Sequence, residues 1–439
     1  MTSSVATNLR DLLEQEKSSP KKEHKQSCML VGNGSPTSVT ARLYSAQKDF
    51  SLNQVIVRRK TIDASMHGAI QDFLASRDSW KSIELTTASR ATQRLLHGFL
   101  YVRHVERLII VQPSDAVISM LGTSLLNNTD GYATVDSLTV ISGTIASAQA
   151  YGMKEGLSSP LCPLQYIRLT KCSFENIEAV RNVAIGLKNC KALKEVSLCQ
   201  CHLEDTEIAT IVTELKDHPS LQHLDLSVNY CLSEGMKAVG ALLASSTHLK
   251  YLDISCQDVW DDRDYFIHLC DGLEHEDCML EVLDTHSNFL ADDQMKWLVK
   301  ALEKNTTLQR LLLFDNSISD QGMMCLSDSL PVLPRSLRIL DISNNSYSMQ
   351  GVKSLEKGMA RNTSIWKLKL NDSTMLLEYY LALNSGGRCL KLTNTVGLSL
   401  WPHILERTNR CLSYEQLCSR IGPQDVIFDL LHGPALLDG

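Results

Sequence analysis

A phrase of the form LxxLxLxx(N/C) returns eight times between residues 164 and 373, beginning at Leu164, Leu193, Leu221, Leu249, Leu280, Leu308, Leu337 and Ile365. Successive starts stand 29, 28, 28, 31, 28, 29 and 28 places apart. No other feature constrains the chain so strongly, because a unit this short cannot bury its apolar face alone and must stack on its neighbours. Looser copies begin at Leu52, Trp80, Val105 and Val135 and lead into Leu164 with nearly the same rhythm. The array is therefore expected to start near residue 50.

Inside each unit the opening residues alternate with a period of two, as a strand does, and the second half changes to helical spacing. From Leu280 the strand LEVLDT is followed by Asp292 and Asp293, then by Met295, Leu298, Val299 and Leu302 at i, i+3, i+4 and i+7. Those four residues make one apolar helix face, preceded by acidic residues suited to a helix N-terminus. Strand and helix alternating in this way predict an α/β solenoid with a parallel sheet inside and helices outside. It curves because helices are wider than the roughly 4.8 Å between strands.

This pattern resembles the leucine-rich repeat family, in the ribonuclease-inhibitor type whose long repeats carry a full helix. The resemblance implies a right-handed horseshoe with its sheet on the concave face. It divides the chain into a flexible tail over 1–48, degenerate repeats over 49–163, regular repeats over 164–373 and a helical C-terminal cap over 374–439. A short helix is expected at Val5 to Leu13 within the tail. In this family the ninth position of each unit points an Asn or Cys inward to satisfy main-chain groups. Here that column reads Cys172, Cys201, Asn229, Gln257, Asn288, Asn316, Asn345 and Ser373. Gln257 and Ser373 depart from it and imply locally altered turns. The segments YYLALNSGGR, LWPHILERTNR and LLHGPALL also resemble the closing part of intracellular leucine-rich repeat families of diatoms.

Repetition accounts for a length of 439 residues, which exceeds one ordinary core. A formal charge of −7 argues against a dedicated nucleic-acid binder. The N-terminus lacks the apolar stretch of a signal peptide, and no apolar run of about 18 residues occurs, so no membrane association is expected. The expected compartment is the cytoplasm, with the nucleus as a second location. Fourteen cysteines without a CxxC spacing then read as reduced thiols. The Asn-x-Ser/Thr sites at Asn127, Asn305, Asn344, Asn362 and Asn371 read as loop asparagines.

The chain contains no GxxxxGK[ST], no GxGxxG after a strand, no GxSxG and no HExxH, so no catalytic residue, cofactor or metal ligand is expected. The acidic stretch DVWDDRDY at 258–265 lacks the Gly and distant Glu of a calcium loop and reads as a solvated turn, with Trp260 as a contact residue. The resemblance implies that positions three, five and seven of each unit face the hollow. Asp225, Asp253, Asp284 and Asp341 then form an acidic column, interrupted at Leu312 and read mainly as repeat consensus. Val282, Leu312, Phe314 and Ile339 form an apolar patch bordered by Tyr251, His286 and Arg310. Exposed apolar surface with an aromatic beside an Arg is the composition of an interface.

The expected function is a non-catalytic scaffold that binds a macromolecular protein partner in the hollow. The expected contacts are Tyr251, Asp253, Val282, Asp284, His286, Arg310, Leu312, Phe314, Ile339 and Asp341. Regulation of a GTPase or other enzyme, or substrate recognition for a ubiquitin ligase, are the alternatives. The chain ends in HGPALLDG where Ran-type activators carry an acidic tail, and no F-box is recognisable in residues 1 to 50.

Overall fold

A computed structural model describes residues 27–385, apart from 32–34, 48, 50, 60–61, 63, 88–94, 96–103, 123–125, 127–133 and 258–263. Among the described residues a 13-stranded sheet takes the strands in chain order, every neighbouring pair parallel. Two further short strands, Thr144–Ile145 and Ser173–Phe174, pair beside it. Among the described residues, helices follow most of the long strands, and those from Ser147–Leu157 onward stack on one another in sequence, as parallel strands require. No helix among the described residues is long and apolar enough to cross a membrane.

The leucines of the repeat behave as its period demands. Leu308, Leu311 and Leu313 are fully or almost fully buried, as are Leu280 and Leu283 one strand earlier and Leu340 and Ile342 one strand later. The residues that alternate with them lie on the sheet face that the helices leave uncovered.

The start of the sheet corrects the expected tail. Strand Ser27–Val31 pairs in parallel with Leu52–Arg59, and helix Pro36–Ala46 follows it. Ser35 caps that helix, its Oγ accepting from the Ser38 N–H at 3.3 Å, with Pro36 in the first turn. Residues 27–46 thus form one more unit. The strand SCMLV is too short to show a period, and the polar run before it hid the unit. The helix expected at Val5 to Leu13 lies outside the described residues, as do Trp260 and most of the acidic loop. Of the expected cap, helix Met375–Ser385 is described; it buries Leu377, and its Asn384 amide donates to the carbonyls of Asn362 and Ile365 at 3.0 and 2.8 Å. Residues 386–439 lie outside the described residues.

The ninth-position column works as a hydrogen-bond ladder. Asn316 Oδ1 accepts from the Asn288 and Leu290 N–H groups at 2.9 and 3.0 Å, while its Nδ2 donates to the carbonyls of Thr285 and Leu313 at 3.1 and 2.9 Å. Asn229 repeats this bridge to Cys201, Leu203, Leu198 and Leu226. Cys172 and Cys201 use their Sγ only to donate, to the carbonyls of Val140 and Leu169. Gln257, expected to alter the turn, does the Asn's work with a longer arm: Oε1 accepts from Cys231 N–H at 2.9 Å and Nε2 donates to Leu226 O at 3.0 Å. Ser373 is exposed, so the ladder ends at Asn345.

A second column lies three residues ahead of several strand phrases. Asn305 accepts from the Thr307 and Leu308 N–H groups and donates to Leu273 O; Asn362 accepts from Ser364 and Ile365 and donates to Leu330 O. Both side chains are buried, so these two are not merely loop asparagines. His218 fills the same place with an imidazole: Nδ1 accepts from Ser220 and Leu221, and Nε2 lies 3.1 Å from Cys190 O.

Burial holds the His218 pKa below its ordinary value, partly offset by the Cys190 carbonyl. An unfolded imidazole protonates near pH 6.5. Below that pH the unfolded state therefore binds a proton that the fold excludes, and stability falls as pH drops from about 7 to 5. His218→Asn should keep the main-chain bonds and flatten that fall by about 1 kcal/mol, measured by urea denaturation at both pH values. An unchanged slope would place the acid sensitivity elsewhere.

Candidate functional site

The uncovered face is organised as three rows, because parallel strands hold equivalent repeat positions side by side. The first row runs Glu195, His223, Tyr251, Val282, Arg310, Ile339 and Lys367. The second runs Ser197, Asp225, Asp253, Asp284, Leu312, Asp341 and Lys369. Just past the strand ends stand Ser227, Ser255, His286, Phe314 and Ser343.

All ten residues singled out in the sequence fall on four adjacent strands and their exits. Their exposure differs, however. Arg310 is exposed, Tyr251, Asp253, Val282, His286, Leu312, Phe314 and Ile339 are half-buried, and Asp284 and Asp341 are buried. The apolar patch is also interrupted, since Arg310 stands in register between Val282 and Ile339. Leu312 joins those two residues diagonally, one row further along the strand.

The acidic column turns out to have local structural work. Each Asp clamps the residue two places on: Asp225 Oδ1 accepts from the Ser227 hydroxyl at 2.6 Å and N–H at 3.0 Å, and Asp253 does the same for Ser255 at 2.6 and 2.9 Å. Asp341 holds Ser343 at 2.6 Å and is neutralised by Lys369 Nζ at 2.8 Å from its Oδ2. These clamps secure the turn out of the strand, where the next residue is left-handed in unit after unit. Val228, Cys256, Ser287, Asp315 and Asn344 have φ between 54° and 58° there. That conformation is costly for side chains other than Gly, Asn and Asp, so it needs such support.

Where a clamp meets no cation, charge accumulates. Burial raises the Asp253 carboxyl pKa, the Ser255 bonds oppose this, and Asp284 and Asp225 on the flanking strands push it further up. Tyr251 beside them is raised by burial and then by the same three carboxylates, with Arg310 pulling the other way. Asp341 is instead lowered: burial works against ionisation, but Lys369 and the Ser343 bonds outweigh it.

The repeat at Leu280 substitutes His286 for the clamped Ser. Its Nδ1 lies 2.7 Å from Asp284 Oδ1, and its ring stacks on Phe314 with centroids 4.2 Å apart and planes 10° from parallel. The two departures from consensus, His286 and Phe314, are therefore one contact pair. On its other side, His286 Nε2 lies 3.5 Å from Cys256 Sγ, a neighbour that sequence reasoning missed. Cys256 sits at position eight of one unit and His286 at position seven of the next, and only the sheet register brings them together. Lys369 was missed as the counterion of Asp341 for the same reason.

Among the described residues no group of three or more His, Cys, Asp or Glu is arranged to hold a metal ion. Ten cysteines among the described residues are free thiols, seven of them buried.

A profile of the family described as Leucine Rich repeat matches residues 304–327. Mouse "NACHT, LRR and PYD domains-containing protein 12" is 29% identical over 238 residues, covering 54% of this chain and 21% of that protein. Human "NACHT, LRR and PYD domains-containing protein 2" is 26% identical over 360 residues, covering 80% of this chain and 32% of that protein. The matched regions thus span about a fifth to a third of these curated relatives. Among solved structures, an internalin from Listeria monocytogenes overlaps 74% of this chain and 82% of its own at 16% identity, with a TM-score of 0.38. A TLR13–ssRNA13 complex overlaps 73% of this chain and 40% of its own at 14% identity, with a TM-score of 0.40. The regular recurrence of the phrase, the parallel sheet backed by helices, and the likeness in sequence make this chain a leucine-rich repeat protein.

Proposed function

We propose that the chain is a non-catalytic interaction scaffold whose uncovered sheet face, between the strands Tyr251–Asp253 and Ile339–Asp341, receives a protein partner. One observation carries the reading: Leu312 and Phe314 replace the Asp and Ser of neighbouring units without being drawn into the core. The replacement deletes a structural clamp and leaves half-buried apolar surface beside an exposed Arg310, a composition typical of interface hot spots. Asp225, Asp253 and Asp284 border it on one side and favour a partner with basic groups around an apolar centre. Four strands at about 4.8 Å, flanked by further rows, offer room for a standard interface of roughly 800 Å². The relatives named above join leucine-rich repeats to NACHT and PYD domains, which is compatible with a recognition role for the repeats alone.

The test separates surface from core. Phe314→Ala should cost about 1 kcal/mol of stability or less, whereas Leu311→Ala, removing a buried side chain, should cost about 2 to 5 kcal/mol. Phe314→Asp should abolish capture of partners that the wild-type protein retains from native lysate. Equal stability loss in the two alanine variants, or unchanged capture by Phe314→Asp, would move the site off this strand.

A further inference from the structure

We propose that Cys256 is a nucleophilic thiol, with His286 as its proton acceptor and Asp284 as the group that orients the imidazole, and that it undergoes exchange with low-molecular-weight disulfides. The geometry is that of an activated nucleophile. Asp284 Oδ1, 2.7 Å from His286 Nδ1, fixes the proton on that nitrogen and leaves Nε2 as an acceptor, 3.5 Å from Cys256 Sγ. The imidazole cannot swing away, because Phe314 stacks on its face and Asp284 Oδ1 also accepts from the His286 main-chain N–H at 3.2 Å. Cys256 is held in turn by its left-handed φ of 54° and by its N–H donating to His286 O at 2.9 Å.

The other described cysteines differ in kind. Seven are buried, and Cys172, Cys190 and Cys201 among them donate to main-chain carbonyls. Of the three that reach the surface, Cys199, Cys256 and Cys325, only Cys256 has an imidazole within hydrogen-bond distance among the described residues.

In the exchange, the Cys256 S–H proton passes to His286 Nε2 and Sγ attacks one sulfur of the disulfide R–S–S–R. The new Cys256–S–R bond forms as the S–S bond breaks, and the departing thiolate takes the proton from His286 to leave as R–SH. Cys256 is oxidised and the small disulfide reduced, so the disulfide is the only oxidant needed. Among the described residues, the charged and titratable groups on the strands that carry the pair and at their exits are Asp225, Asp253, Asp284, Arg310 and Asp315, with the Cys199 thiol beyond. Carboxylates outnumber cations among them, so acceleration depends on His286 and not on a generally cationic setting.

The experiment treats the full chain with oxidised glutathione and follows each cysteine by peptide mass mapping at pH 6.5 and 8.5. An isolated thiol with a pKa near 8.5 loses about fifty-fold in thiolate across that range. Cys256 should lose less than about five-fold, and at pH 6.5 should react at least ten-fold faster than Cys199 and Cys325. His286→Gln should restore the steep profile at Cys256 alone, and Asp284→Asn should lie between. Reaction of Cys256 at the pace of Cys325, or a shallow profile that survives His286→Gln, would overturn the assignment. Circular dichroism of each variant separates loss of the pair from loss of the fold.

Discussion

Replacing Asn316 by alanine is expected to remove about 4 kcal/mol of folding stability. The side chain serves four main-chain groups at once: the N–H groups of Asn288 and Leu290 and the carbonyls of Thr285 and Leu313. It is buried, and alanine can neither replace those bonds nor leave room for an ordered water at each group. Leu313 O keeps the Asn345 amide as a second donor, so three groups are stranded; each costs about 1 to 3 kcal/mol, and partial relaxation brings them to roughly the stated sum. Asn316→Cys gives a graded comparison. Cys201 shows that a thiol in this column still donates to a carbonyl, at 3.0 Å from Leu169 O, but a thiol accepts poorly from two N–H groups. The Cys variant should therefore fall between wild type and Ala in urea unfolding. A loss below about 1 kcal/mol in Asn316→Ala would show that neighbouring repeats share these bonds loosely.

That ladder also shows why the fold was legible and where legibility stopped. A nearly constant period fixes the stacking because every unit must present the same apolar positions, and the buried Leu308, Leu311 and Leu313 follow the pattern directly. The second column stayed hidden because its position is constant while its residue is not. His218, Ser246, Asn305 and Asn362 all stand three places before a strand phrase and accept from the N–H that opens it with different atoms, while Cys190 in the same place donates to Leu164 O. Gln257 misled for the opposite reason, looking like a departure when its longer side chain reaches the same partners. The first unit was lost because the strand Ser27–Val31 carries too little alternation to be seen against a polar tail.

The candidate site was legible at the level of rows and not of contacts. Alternation within a strand gives the face on which Leu312 and Phe314 stand. Cross-strand register is needed to see that Arg310 splits Val282 from Ile339, that Lys369 neutralises Asp341, and that Phe314 covers His286. Each of those contacts links residues one whole repeat apart, a separation that a single sequence does not mark as special.

Gly240→Ala is expected to destabilise by about 3 kcal/mol, although it adds one methyl group to a helix and improves intrinsic helix propensity. The reason lies in how closely helices Ser233–Leu243 and Phe266–Leu273 approach. A Cβ on Gly240 would fall on the His268 carbonyl oxygen, and a Cβ on Gly272 would lie 2.7 Å from the Gly240 Cα. Backbone meets backbone there, so no side chain can move aside, and the helices must separate while the strands beneath them stay at their fixed spacing. Gly68→Ala is the matched opposite. It sits inside helix Ala64–Ala75 with none of the described residues within 4 Å of the added carbon, so alanine should stabilise by about 0.5 to 1 kcal/mol through helix propensity. Thermal unfolding of the two variants beside wild type should therefore move the midpoint in opposite directions. If Gly240→Ala also raised it, the helix spacing would be able to relax, and the stacking distance of the repeats would be set by the sheet alone.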